Sequence, residues 1–213
     1  MNHQHSVLLL VDIQPDFMPG GALAVEGGAE IVEPVRRLME SDRFGLLIAT
    51  QDWHPLGHIS FASSHPGRKP FETLELHGHP QTLWPDHCVQ GSAGARLYLE
   101  LPWDRVAAII RKGMDPQTDS YSGFRNNWNA HGERPATGLA GYLRERGIQE
   151  VYVCGLARDV CVRWTAEDGA DAGFQVYLLW DVTRSVDPTG DHLLKQALMK
   201  RGVTITTTEE LGR

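Results

Sequence analysis

Six short apolar runs alternate with stretches of helical period, and this alternation restricts the fold more than any other feature of the chain. The runs are Val7–Val11, Leu46–Ala49, Val106–Ile110, Val151–Val153, Val176–Leu179 and, more weakly, Val203–Thr206. Near-continuous apolar runs of this length suit strands covered on both faces of a parallel sheet, since a wet face would put polar residues at every second position. Between the runs, Ile31, Val35, Leu38 and Met39 share one helical face. Leu139, Tyr142 and Leu143 share another, stopped by Gly147, and Leu193, Leu194, Ala197 and Leu198 a third, stopped by Gly202. The order β-α-β-loop-β-loop-α-β-α-β-α-β predicts an α/β fold, a three-layer α/β/α sandwich on a mainly parallel six-stranded sheet. A single domain over residues 1–213 accommodates the pattern. Two segments, 51–91 and 113–135, are too long to be plain connections. Their aromatic residues, among them Trp53, Trp84, Tyr121 and Trp128, predict ordered walls of an active site.

Composition narrows the function by exclusion. The net charge is −7, and Lys and Arg do not cluster, so no nucleic-acid partner is expected. The run Val7–Val11 ends at Asp12, far short of the roughly 20 residues of a membrane span and too short for a secretory signal. Three cysteines cannot build a disulfide framework, which points to a reducing, cytoplasmic setting. Histidine is unusual: six of the ten lie between His54 and His87.

Ligands of open α/β sheets bind outside the carboxyl ends of the strands. Asp12 follows the first run, Asp52 and His54 the second, Lys112 the third, and Cys161 the fourth, after a strand-to-helix turn marked by Gly155 and Leu156. Each residue has a plain structural alternative. A lone Cys is often inert core, Asp12 could merely form a turn, Lys112 could be a solvated strand end, and a loop His is commonly a hydrogen-bonded surface group. Their shared edge favours chemistry. In the first turn of a helix, Cys161 would meet free N–H groups that favour a thiolate and could receive an oxyanion. A partly buried Asp12 could take the thiol proton and pass it to a leaving amine. A Lys112 in the same pocket would favour both anions. Asp52 with His54, and with His58 or His87, suits Zn²⁺, Mn²⁺ or Fe²⁺. Cys154 reads as core, and Cys88 as a wall residue or bystander. No dinucleotide fingerprint, phosphate loop, nucleophile elbow or C-x-x-C pair is present.

Five segments in this order, VDIQPDFMPGGALAV, ATQDWHPLGHISFA, LWPDHCVQGS, KGMDPQTDSYSGF and GLARDVCV, resemble the nicotinamidase/pyrazinamidase family of the isochorismatase-like cysteine hydrolases. The resemblance runs from about residue 6 to about 205. It implies a catalytic triad of Asp12, Lys112 and Cys161. It further implies one divalent metal, Zn²⁺ ahead of Mn²⁺ or Fe²⁺, on Asp52, His54 and His87, with His58 taking part in some relatives. Phe17, Leu23, Trp84 and Tyr121 would surround the substrate ring. The backbone N–H groups of Ala157 and Cys161 would form an oxyanion hole, held by a cis peptide at Leu156–Ala157. The implied reaction is hydrolysis of nicotinamide, and of pyrazinamide, to the acid and ammonia through a cysteine thioester, in NAD salvage. Two positions depart from the pattern: Pro15 stands where relatives carry Asn, and Arg158 where Thr or Ser is common. Arg158 would place a bulky cation beside the oxyanion turn and puts substrate range in question.

Two rivals remain at this level. One is a sister amidase or carbamoyl hydrolase with the same triad and another small amide. The other is a metal- or ligand-binding module whose thiol is silent. Trp103, Trp128 and Trp180 could serve either a core or a homo-oligomer interface.

Overall fold

The first strand, β1 (Ser6–Val11, SVLLLV), is buried along its whole length, as its unbroken apolar character requires. The structure, a computed structural model, describes residues 3–212; residues 1, 2 and 213 of the expected domain lie outside the described residues. Helix α1 (Val32–Glu40) follows, then β2 (Leu46–Asp52), a short hairpin of β3 (Thr73–Leu76) and β4 (His79–Thr82), and β5 (Ala108–Lys112). The second half contains α2 (Leu139–Glu145), β6 (Glu150–Leu156), α3 (Arg163–Asp171), β7 (Gln175–Arg184), α4 (Asp191–Lys200) and β8 (Thr204–Thr206). The six-stranded sheet has the order β5-β2-β1-β6-β7-β8, and each neighbouring pair is parallel. Leu8 and Leu10 pack against Val35, Leu38 and Met39 of α1 on one face. Val7, Leu9 and Val11 meet Leu139 and Leu143 of α2, Ala166 of α3 and Leu198 of α4 on the other. The alternation of β1 side chains between two helical layers is what makes the sandwich.

The chain builds outward from β1 to β2 and β5, then returns to the other side of β1 for β6, β7 and β8. The order therefore reverses between β1 and β6, where the strand ends diverge and leave a crevice. The two strands approach closely there: at Gly155 (φ +114°) a Cβ would lie 2.1 Å from the Val11 carbonyl oxygen. Asp12 and Cys161 leave the sheet on either side of this point.

Three sequence expectations need correction. The third strand runs two residues later than Val106–Ile110, so Lys112 ends β5 instead of following it. β5 is also an edge strand, with Ile109 47% exposed, because its outer face lacks the cover the central strands receive. The first long loop is not merely irregular: it carries the antiparallel β3–β4 hairpin, turned by His77 (φ 52°) and Gly78 (φ 80°). Two consecutive residues at positive φ match the right-handed twist of paired strands. The tryptophans left open are engaged within the fold. Trp103 Nε1 donates to the Tyr98 carbonyl, Trp128 stacks under His79 at 4.0 Å, and Trp180 lies beneath Arg158. No helix among the described residues is long and apolar enough to cross a membrane.

Candidate active site

Lys112 is the centre of the site. Its Nζ lies 2.9 Å from Asp12 Oδ2, 2.8 Å from Asp52 Oδ1, 3.0 Å from the Ser120 carbonyl oxygen and 3.4 Å from Cys161 Sγ. All four residues it joins come from different parts of the chain, and Lys112 is 1% exposed. Asp12 adopts φ 47° at the end of β1 and is pinned by Thr50, whose hydroxyl donates to Asp12 Oδ1 at 2.6 Å. Asp12 Oδ2 faces Lys112 without hydrogen-bond alignment, and the Lys112 ammonium stands between this carboxylate and the Cys161 sulfur.

Cys161 is brought here by an unusual turn. After β6 the Leu156–Ala157 peptide is cis, and residues Arg158–Val162 form one π-helical turn before α3 begins. The Ala157 carbonyl accepts from both Val160 N (3.1 Å) and Val162 N (3.0 Å). The sequence placed Cys161 in the first turn of an α-helix; the wider turn replaces it, as π-turns often do at functional sites.

The charges follow from burial and partners. Burial alone would lower the Lys112 pKa, but Asp12 and Asp52 outweigh it and hold the ammonium charged. Burial pushes the Cys161 thiol well up; Lys112 opposes, while Asp12 and Asp52 reinforce the rise. Burial likewise raises Asp12 against the pull of Lys112. Burial would raise Asp52 too, yet His54 and Lys112 hold it well below the usual carboxylate range. Burial and the two carboxylates thus favour the protonated sulfur, against the thiolate expected from a helix terminus.

Asp52, His54 and His87 converge beside this cluster. Asp52 Oδ2 lies 3.0 Å from His54 Nε2 and 3.2 Å from His87 Nε2. The other ring nitrogens face carbonyls, His54 Nδ1 at Gly113 O (3.0 Å) and His87 Nδ1 at Pro85 O (2.8 Å). A carbonyl only accepts, so each Nδ1 carries a proton, and each Nε2, turned to Asp52, is the atom a cation would take in place of its proton. Two imidazoles and a carboxylate fit a divalent metal. His58 also nears His54 and Asp119, but its nitrogens are engaged: Nε2 faces the Asp115 carbonyl at 2.9 Å and Nδ1 the Ser60 hydroxyl at 2.8 Å.

A narrow cleft opens over the sulfur and the Asp52–His54–His87 group. Phe17, Leu23, Trp84 and Tyr121 line it, together with Ala157. Pro15 takes the first position of a one-turn 3₁₀ helix, Pro15–Phe17, where its missing N–H costs nothing. Arg158 does not face the cleft. Its guanidinium lies between Thr183, Trp180 and Asp191, so the cation foreseen beside the substrate is turned away. Cys88 Sγ accepts from the Gln14 amide, and all three cysteines are free.

Sequence reasoning missed several contributors. Thr50 had a signal, a polar residue inside an apolar strand and two before Asp52, hence on the same face. Asp119 lines the cleft two residues before Tyr121. It is held by Ser120 N (2.8 Å) and by the Gln81 amide (2.6 Å). Gln81 and the wall residue Val186 had no local signal, because the hairpin and the segment after β7 bring them from afar.

The Isochorismatase domain model matches residues 6–210. The nicotinamidase of Acinetobacter baylyi is 46% identical over 183 residues, covering 86% of this chain and 83% of the relative. A solved nicotinamidase and pyrazinamidase of Acinetobacter baumanii is 42% identical, with a TM-score of 0.92 over 99% of this chain and 100% of that one. A pyrazinamidase of Pyrococcus horikoshii, solved in complex with zinc, is 37% identical, with a TM-score of 0.75 over 95% and 99% of the two chains.

Proposed function

The chain belongs to the isochorismatase family, and from that premise we propose that it is a nicotinamidase, an amidohydrolase converting nicotinamide to nicotinate and ammonia. The observation that carries this reading is the Asp12–Lys112–Cys161 cluster opening on the same cleft as Asp52, His54 and His87. On this reading the ring of a flat heteroaromatic amide lies against Phe17, Leu23, Trp84 and Tyr121, which line the cleft, with its carboxamide at the sulfur.

Asp12 takes the Cys161 proton as the sulfur attacks the carboxamide carbon. The C=O electron pair moves onto oxygen, where the N–H groups of Ala157 and Cys161 receive it; one such donor is worth roughly 3–4 kcal/mol of barrier. The carbonyl then reforms, the C–N bond breaks, and Asp12 returns the proton to nitrogen, releasing ammonia. Asp12 next takes a proton from water as its oxygen attacks the thioester. Collapse breaks the C–S bond, the thiolate recovers the proton, and nicotinate leaves. Lys112 stays charged throughout and limits the cost of charge on Asp12 and sulfur. Asp52, His54 and His87 would hold one divalent ion, Zn²⁺ ahead of Mn²⁺ or Fe²⁺, which when bound orients the substrate by its ring nitrogen, directly or through a water. The same recognition extends the reading to pyrazinamide. We take residues 1–213 to act as one domain, and the free cysteines to suit a reducing cytoplasm.

The test is ammonia release from nicotinamide by the purified protein, with metal analysis of the same sample. Cys161→Ala abolishes release and leaves metal content unchanged; normal turnover in that variant would remove the thioester route. Undiminished activity on nicotinamide after metal stripping would favour the sister amidase.

A further inference from the structure

Arg158 is a cation buried to 6% exposure in a turn whose neighbours the mechanism uses, yet it touches neither substrate cleft nor triad. Its Nε donates to Thr183 Oγ1 at 2.8 Å. One terminal nitrogen pairs with the Asp191 carboxylate, and the other donates to the carbonyls of Trp180 (2.9 Å) and Thr183 (2.5 Å). The guanidinium carbon sits 4.0 Å from the centre of the Trp180 ring. One side chain thus ties the turn to β7 and to the first residue of α4. The next residue repeats the tie: the Asp159 carboxylate accepts from the N–H groups of Val186 and Asp187, both at 2.9 Å. Val186 is itself a wall of the cleft.

We infer that Arg158 is a positioning residue, which through Thr183 and Asp191 holds the Ala157–Cys161 turn at the spacing the oxyanion and the sulfur require. The inference rests on the hydrolase reading above. Its physical basis is the fork of the guanidinium, which meets acceptors on two elements at once. A lysine could meet only some of them from one point. A displacement of about 1 Å at a reacting group can cost on the order of a hundredfold in rate. Without the guanidinium the turn keeps its own hydrogen bonds and the Asp159 tie, but loses its links to β7 and α4.

The experiment compares the parent with Arg158→Met, Arg158→Lys and Asp191→Asn. Arg163→Ala, one turn on and partly exposed in its pair with Glu167, is the control expected to keep parental rates. Steady-state nicotinamide hydrolysis is read beside binding of pyridine-3-carbaldehyde. This probe adds the Cys161 sulfur to its carbonyl carbon while the thiol proton passes to its oxygen. Arg158→Met lowers kcat by about ten- to a hundredfold, with KM within about threefold of the parent. Aldehyde affinity falls in parallel. Arg158→Lys regains part of the loss, and Asp191→Asn shows a smaller one. Amide exchange of residues 157–162 accelerates while β1 stays protected, which a general loss of stability would not produce. If Arg158→Met does not fold, the Lys and Asn variants decide. A folded variant of Arg158 with parental kcat and aldehyde affinity overturns the inference, whatever its melting temperature. No ammonia release by the parent overturns the hydrolase reading instead; unchanged exchange at 157–162 would then overturn the clamp separately.

Discussion

Cys161 shows how the identity of a side chain and its state separate. The identity was legible in GLARDVCV, where a strand-to-helix turn delivers a thiol to the sheet edge. Its protonation was not, because the three groups that decide it, Lys112, Asp12 and Asp52, arrive from other strands. Burial comes first, and a raised pKa means the proton is held more tightly, so the reactive thiolate appears at higher pH. Alkylation of Cys161 by iodoacetamide, followed by peptide mass spectrometry, is therefore expected to keep rising above about pH 9. An ordinary thiol, with a pKa of about 8.5, has by then largely ionised. A rate that levels at or below that value would contradict a neutral resting thiol. His58 makes the same point. A histidine four residues after His54 is a possible ligand in the sequence, and only the fold shows its ring nitrogens facing the Asp115 carbonyl and the Ser60 hydroxyl.

At the scale of elements, the β-branched runs and helical faces gave the central strands and α1, α2 and α4 nearly in place. The edge strand β5 was misplaced because its alternating exposure weakens the apolar signal. The β3–β4 hairpin was passed over because its turn, His77-Gly78, sits among polar residues that resemble loop. The connection leaving β5 matters most for the metal-type group. Gly113 has φ +67°, and a Cβ there would lie 2.3 Å from His54 Cε1. Its carbonyl also sets the His54 tautomer. Gly113→Ala is expected to weaken Zn²⁺ binding by about 10–100-fold, the usual cost of disturbing a group that orients a ligand. Calorimetric titration of the metal-stripped protein checks this, and parental affinity would show that the His54 ring is held by other means.

At the scale of the molecule, the parallel sheet creates one crevice where its order reverses, and both ionisable groups and aromatic walls gather there. An ion that binds only the folded chain stabilises it as a whole, by about 2.7 kcal/mol at a hundred times its dissociation constant. For a chain of this size that is a rise in Tm of about 5–10 °C. Scanning calorimetry of stripped protein with and without Zn²⁺ measures it, and an unmoved Tm would remove the metal from Asp52, His54 and His87. The layer order, the sheet and the kinds of chemistry were readable from the chain because periodicity and local motifs are properties of neighbouring residues. Folding had to settle that Lys112 meets both Asp12 and Asp52, how deeply the sulfur is buried, and that Arg158 turns away to β7 and α4. These depend on distances between residues far apart in sequence and on the water removed from around them, and neither is written in any single stretch of the chain.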